Sequence, residues 1–155
     1  MEFTSVSFGS LANKYGGHAS WAVWNSDALR DTDVISKNLH CLKTSVIMVG
    51  LNISANLPRH WSNFHGGRHD RKLMYAFNDS PYRGAYMTDI IKGEIEAKSG
   101  KLKRRIKRRD VDLQKHVSTF RCEMNDLGVN RQALFILFGG EVKAIVRRAA
   151  FGNLS

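Results

Sequence analysis

Cysteine and proline are scarce, with two of each in 155 residues. Cys41 and Cys122 form no CxxC pair, which excludes a disulfide scaffold and a zinc ribbon and fits a reducing, cytoplasmic or nucleoid-associated setting. Long apolar runs are missing too: no stretch approaches the roughly 20 residues needed to cross a bilayer. The start, MEFTSVSFGS, has no basic segment leading into an apolar one, so neither secretion nor a membrane partner is expected. Carboxylates are the third shortage. Fourteen Asp and Glu face 24 Lys and Arg, and the net charge of +10 favours an anionic partner, nucleic acid above all. Hydrophobic residues nevertheless make up 43% of the chain, enough for one domain over 1–155 with a true core.

Seven of the cations fall within nine residues: Lys101, Lys103, Arg104, Arg105, Lys107, Arg108 and Arg109, interrupted only by Leu102 and Ile106. A basic loop at 101–109 could track a phosphate backbone, releasing counterions as it binds. A solvated surface loop and a targeting signal are the competing readings.

Two short apolar runs, 44–51 (TSVIMVGL) and 133–138 (ALFILF), read as strands buried on both faces, and 84–91 (GAYMTDII) is a third, weaker strand. Leu113, Val117, Phe120, Met124 and Leu127 recur at helical spacing, with Gly128 placed as a C-terminal cap. Further helices are expected at 141–149 and at 20–29 (SWAVWNSDAL). Strand, helix, strand, helix is the order of an α/β domain. The expected architecture is three-layer α/β/α with a short, mainly parallel sheet, its ligand at the carboxyl ends of the strands.

The first strand runs into Gly50-Leu51-Asn52-Ile53-Ser54. A buried strand ending in Gly-hydrophobic-Asn resembles the first motif of the uracil-DNA glycosylase superfamily, in its mismatch-specific and single-strand-selective branches. Ala85-Tyr86-Met87-Thr88-Asp89-Ile90-Ile91-Lys92 is similar to the family's Tyr-Ile-Thr-Asn-Val-Val-Lys segment, and Ala133 to Gly140 resembles its strand-to-helix corner. The resemblance implies a DNA-binding protein that extrudes a modified or deaminated base and hydrolyses its N-glycosidic bond, with no cofactor and no metal. It implies that Asn52 positions the water and that Gly50, Leu51, Ser54, Phe64 and Asp89 form the base pocket. Phe64 would stack on the base, and Arg68 or His69 would contact phosphate.

Each assignment has a plainer counterpart. Asn52 could cap a turn, Phe64 could be a core aromatic, and Asp89 could pair with Lys92. His60, His65, His69 and Asp70 match no metal-site spacing, and Gly66 and Gly67 break any helical face through them, which also leaves a metal-dependent nuclease without its ligands.

The sequence departs from the family pattern in three places. Ile53 replaces a proline that stiffens the loop. Asp89 stands where the family often has Asn, and an ionised carboxylate accepts only, suiting an exocyclic amine better than the carbonyl of uracil. Phe151-Gly152-Asn153-Leu154-Ser155 holds no counterpart of the family's His-containing C-terminal motif. Three main parallel strands and weak or absent base release are therefore expected, and the alternative is a catalytically inactive nucleic-acid-binding or interaction protein that keeps the fold.

Overall fold

The strand after residue 43 organises the molecule, because both of its edges are filled. In the computed structural model, which describes residues 3–151 and their side chains through Arg148, the elements run as follows: α1 (Ser5–Tyr15), β1 (Ser20–Trp21), α2 (Asp33–Ser36), β2 (Lys43–Asn52), α3 (Asp70–Phe77), β3 (Ala85–Ile91), α4 (Ser99–Lys107), α5 (Leu113–Asp126), β4 (Leu134–Leu137) and α6 (Gly140–Phe151). The sheet order is β1-β3-β2-β4. β2 pairs parallel with β3, placing Met48 opposite Met87 and Gly50 opposite Asp89, and parallel with β4, placing Met48 opposite Ile136. The three expected parallel strands are present, joined by a two-residue antiparallel edge, β1.

Strand alternation divides the core in two. Ile47, Val49, Tyr86 and Ile90 pack with Leu102 and Ile106 of α4, Val117, Phe120 and Met124 of α5, and Val142 and Ile145 of α6. Val46, Met48, Ala85 and Met87 pack on the other side with Met74, Leu73 and Phe77 of α3. This is the three-layer α/β/α arrangement. The α5 stripe is buried as its spacing requires, and Gly128 takes the left-handed conformation (φ 63°) that ends the helix. Lys14 and Tyr15 of α1 both bond Asp126 at the far end of α5.

Three expectations are corrected. The run 133–138 forms the edge strand β4, but it is not buried on both faces, since Leu134 and Phe135 are exposed. Residues 20–29 are not a helix: Ser20–Trp21 is a strand, and Ala19, Trp21 and Val23 enter one core while Ala22 and Trp24 enter the other. That alternation demands extended backbone, and an isolated helix in its place would bury only one of the two sets. The basic segment 101–109 is not a loop either. Leu102 and Ile106, spaced i, i+4, are both buried and fold residues 101–107 into α4, with Arg108 and Arg109 just past its end. Residues 152–155, where the C-terminal difference from the family falls, lie outside the described residues.

Candidate functional site at the carboxyl ends of β2 and β3

Gly50 and Asp89, register partners on neighbouring strands, face the α3 side of the sheet near its carboxyl end. They meet closely. A Cβ built on Gly50 would stand 2.2 Å from Asp89 Oδ1 and 3.2 Å from Phe64 Cζ, so only glycine leaves room for this carboxyl and this ring together. The structure thus brings together three residues of the expected pocket: Gly50, Phe64 and Asp89.

Segment 61–65 (WSNFH) holds them. Trp61 and Phe64 adopt positive φ (62° and 64°), a conformation that costs a bulky residue about 1 kcal/mol or more and persists only where surrounding contacts enforce it. Those contacts are visible. The Trp61 N–H donates to Gly16 O at 2.8 Å, and Trp24 Nε1 donates to Phe64 O at 2.9 Å. His65 is buried, with Nδ1 2.9 Å from Asn63 O and 3.1 Å from Ser20 Oγ, and Nε2 3.0 Å from Val23 O. Its ring stacks on Trp24. Burial pushes the His65 pKa down against the pull of the two carbonyls, so the imidazole is neutral at pH 7.

Asn63, which sequence reasoning passed over, is the centre of this loop. Its Nδ2 donates to Asp89 Oδ2 at 2.8 Å and to His18 O at 2.9 Å, while Oδ1 accepts from the Phe64 N–H at 3.1 Å. Asp89 is 2% exposed. Burial raises its pKa to about 6, against the opposing effects of the Asn63 bond and the Lys92 charge. The plainer reading of Asp89, a surface ion pair with Lys92, does not hold. Lys92 Nζ bonds the Asp89 backbone oxygen and Thr88 Oγ1, each at 2.5 Å, and gives its charge to Glu123, 2.6 Å away.

Glu123 is the second residue that sequence reasoning passed over, although a carboxylate set inside the apolar stripe between Phe120 and Leu127 is a legible signal. Tyr86 and Thr88 hydroxyls donate to its Oε1 at 2.7 and 2.8 Å. Burial works to raise its pKa, yet His18, Lys92 and Tyr86 together hold it down at about 2. The pair fastens α5 to β3 on the face away from Phe64.

The other expected site residues are placed differently. Asn52 lies two residues beyond Gly50, and its Nδ2 donates to Ile53 O at 2.8 Å, Glu94 O at 2.9 Å and Glu96 O at 3.0 Å, tying the loop after β2 to the loop after β3. Leu51 turns to the opposite core and does not join Gly50. Ser54 is exposed on the loop beyond, and Arg68 is exposed on the turn before α3. On α4, Lys101 pairs with Glu96 at 3.1 Å and Arg105 with Glu94 at 2.7 Å, clamping the helix to the loop that Asn52 holds. Lys103, Arg104, Lys107, Arg108 and Arg109 are exposed and, among the described residues, enter no ion pair. No group of three or more His, Cys, Asp or Glu side chains converges on one point among the described residues, and no helix among them is long and apolar enough to cross a membrane. No protein-family model, curated protein or solved structure matches the chain.

Proposed function

We propose that this is a nucleic-acid-binding protein, with DNA its first candidate ligand, of the type its motifs resemble: it receives an extruded base at the carboxyl ends of β2 and β3. The observation that carries this reading is the Asn63–Asp89 pair beside Gly50 and Phe64. A directed acceptor and an aromatic ring, brought together over a glycine, are the groups that recognise an unstacked base. The basic segment supports it: Lys103, Arg104 and Lys107 are exposed on α4, with Arg108 and Arg109 exposed just past its end, and the helix is anchored to the adjoining loop. In this reading Asp89, when ionised, accepts from an exocyclic amine, and the site removes the base by hydrolysis if Asn52 can direct water.

One observation favours a second reading, binding without cleavage. The Asn52 amide nitrogen is committed to three backbone carbonyls, a tethering role. One experiment separates the two. The protein is incubated with labelled single and double strands carrying uracil, hypoxanthine or normal bases, then treated with alkali to cut abasic sites. Alkali-dependent scission identifies a glycosylase, strands retarded in a native gel without scission identify a binder, and the absence of both overturns the nucleic-acid reading.

A further inference from the structure

The helix that follows the Phe64 loop carries a surface that the site does not use. On α3, Leu73, Met74 and Phe77 face the core, and the turn geometry sends Arg71, Lys72, Tyr75 and Ala76 outward. Arg71 and Tyr75 are spaced i, i+4 and so lie one above the other, with Lys72 beside them. Tyr75 is 73% exposed, an unusual amount for so large a ring. Arg68 and His69 extend the row along the preceding turn.

Of the two nearby carboxylates, Asp70 is withdrawn from this face, and Asp79 is exposed past the C-terminal end of α3. Asp70 turns back on the chain, its Oδ2 accepting from Gly66 N–H at 3.0 Å and Gly67 N–H at 2.6 Å. Among the described residues, Arg68, Arg71 and Lys72 form no ion pair. Cations therefore line the N-terminal side of an exposed ring on a helix whose first turn adjoins the Phe64 loop.

We propose that the exposed face of α3 and the turn before it form a second nucleic-acid contact, in which Arg68, Arg71 and Lys72 meet phosphates and the Tyr75 ring stacks on an unpaired base. This inference rests on the nucleic-acid reading above and adds the form of the ligand: a single-stranded segment, because the bases of a duplex are already stacked on one another. An anionic membrane surface is the other partner that cations and an aromatic ring suit. The apolar content of the face is too small for it, since Tyr75 and Ala76 alone offer nothing comparable to the broad apolar side of an interfacial helix. α4 lies with the opposite core, so the two basic surfaces come from the two layers flanking the sheet.

The test measures fluorescence anisotropy of labelled single-stranded and blunt duplex DNA at several salt concentrations. It uses the parent chain, Tyr75→Ala, Tyr75→Phe and the double variant Arg71→Gln/Lys72→Gln; all of these side chains are exposed, so the fold is undisturbed. Tyr75→Ala should weaken single-strand binding about tenfold and leave duplex binding unchanged, and Tyr75→Phe should keep the parent affinity. The double variant should flatten the single-strand salt slope by about 0.7 for each lost contact. A parent that binds DNA with α3 variants indistinguishable from it overturns this inference alone. A parent that binds no DNA overturns the nucleic-acid reading with it. Loss of binding to phosphatidylserine vesicles, with oligonucleotide binding unchanged, assigns the face to a membrane and overturns the inference as well.

Discussion

Asn63 donates its amide N–H to Asp89 Oδ2, while the other carboxylate oxygen faces the Cα of Gly50. The bond fixes one oxygen as an acceptor and leaves the other as the position that gains a proton. Because burial raises the Asp89 pKa from 3.8 to about 6, the folded protein binds this proton more tightly than the unfolded chain does. The stability it contributes is complete below about pH 4 and is lost as pH rises through 6.

Asp89→Asn removes that dependence and keeps an acceptor for Asn63. Its stability relative to the parent should therefore be greater at pH 8 than at pH 5, by about 1.4 kcal/mol for a pKa near 6. Urea denaturation of both proteins at the two pH values measures this, and a difference independent of pH would show that Asp89 titrates normally.

The same substitution alters what the site can bind. A carboxamide both donates and accepts, as the edge of uracil requires, whereas the carboxylate sets a charge against a carbonyl oxygen. Asp89→Asn should bind uracil-bearing strands more tightly than the parent at pH 8, and the parent should prefer a base that presents an amine. Competition anisotropy decides it: a parent that prefers uracil contradicts the assignment of Asp89 to the base edge.

Asn52 ties two loops together, so its loss should register in stability. Asn52→Ala should cost about 1–3 kcal/mol, since three carbonyls lose their donor. Asn52→Asp should cost more, because a carboxylate would face those same oxygens. Equal stability of all three proteins in urea would refute the tether and return Asn52 to a purely chemical role.

The buried pair of Lys92 and Glu123 makes a contrasting case. Glu123→Ala strands the Lys92 ammonium in the core and should cost about 3–5 kcal/mol. The double variant Glu123→Leu/Lys92→Met removes both charges and should recover more than half of that loss by the same measurement. Failure to recover would mean that the hydroxyls of Tyr86 and Thr88 depend on Glu123 as strongly as Lys92 does.

On α4 the cations divide by partner. Arg104→Gln/Arg108→Gln should flatten the salt dependence of duplex binding by about 0.9 per lost phosphate contact. Arg105→Gln should leave the slope nearly unchanged, because Arg105 is held by Glu94. Equal effects on the slope would place Arg105 in the interface.

The parts of the fold that could be read from sequence are those whose pattern is complete within one element. The five-residue stripe of α5 and the apolar runs of β2 and β4 fix their own conformation, and the weaker β3 still carries apolar residues on both faces of a seven-residue run. α4 could not be read the same way, because two apolar residues among seven cations leave its amphipathic period almost without signal. α1 did carry one: Thr4 and Ser7 form a reciprocal cap, and Phe8, Leu11, Ala12 and Tyr15 repeat at helical spacing. At the site, Gly50 and Asp89 are legible as the residues near the ends of two apolar strands and Phe64 as an aromatic in a polar loop. Asn63 is not, because its role comes from a contact with a residue 26 positions later that only the folded loop creates. Leu51 fails for the simplest reason: adjacent residues of a strand point to opposite faces.

The strand order has a kinetic consequence. β2 sits inside the sheet, yet both of its neighbours, β3 and β4, come later in the chain, and the earlier strand β1 joins only through β3. A growing chain that has just completed Lys43–Asn52 therefore holds its longest strand with neither edge paired, and the last edge is filled only when Leu134–Leu137 has emerged. Parallel pairs that close long loops form slowly, and the exposed strand is open to non-native pairing in the meantime. Refolding yield should fall as protein concentration rises, and truncation before β4 should produce an insoluble fragment rather than a smaller stable sheet.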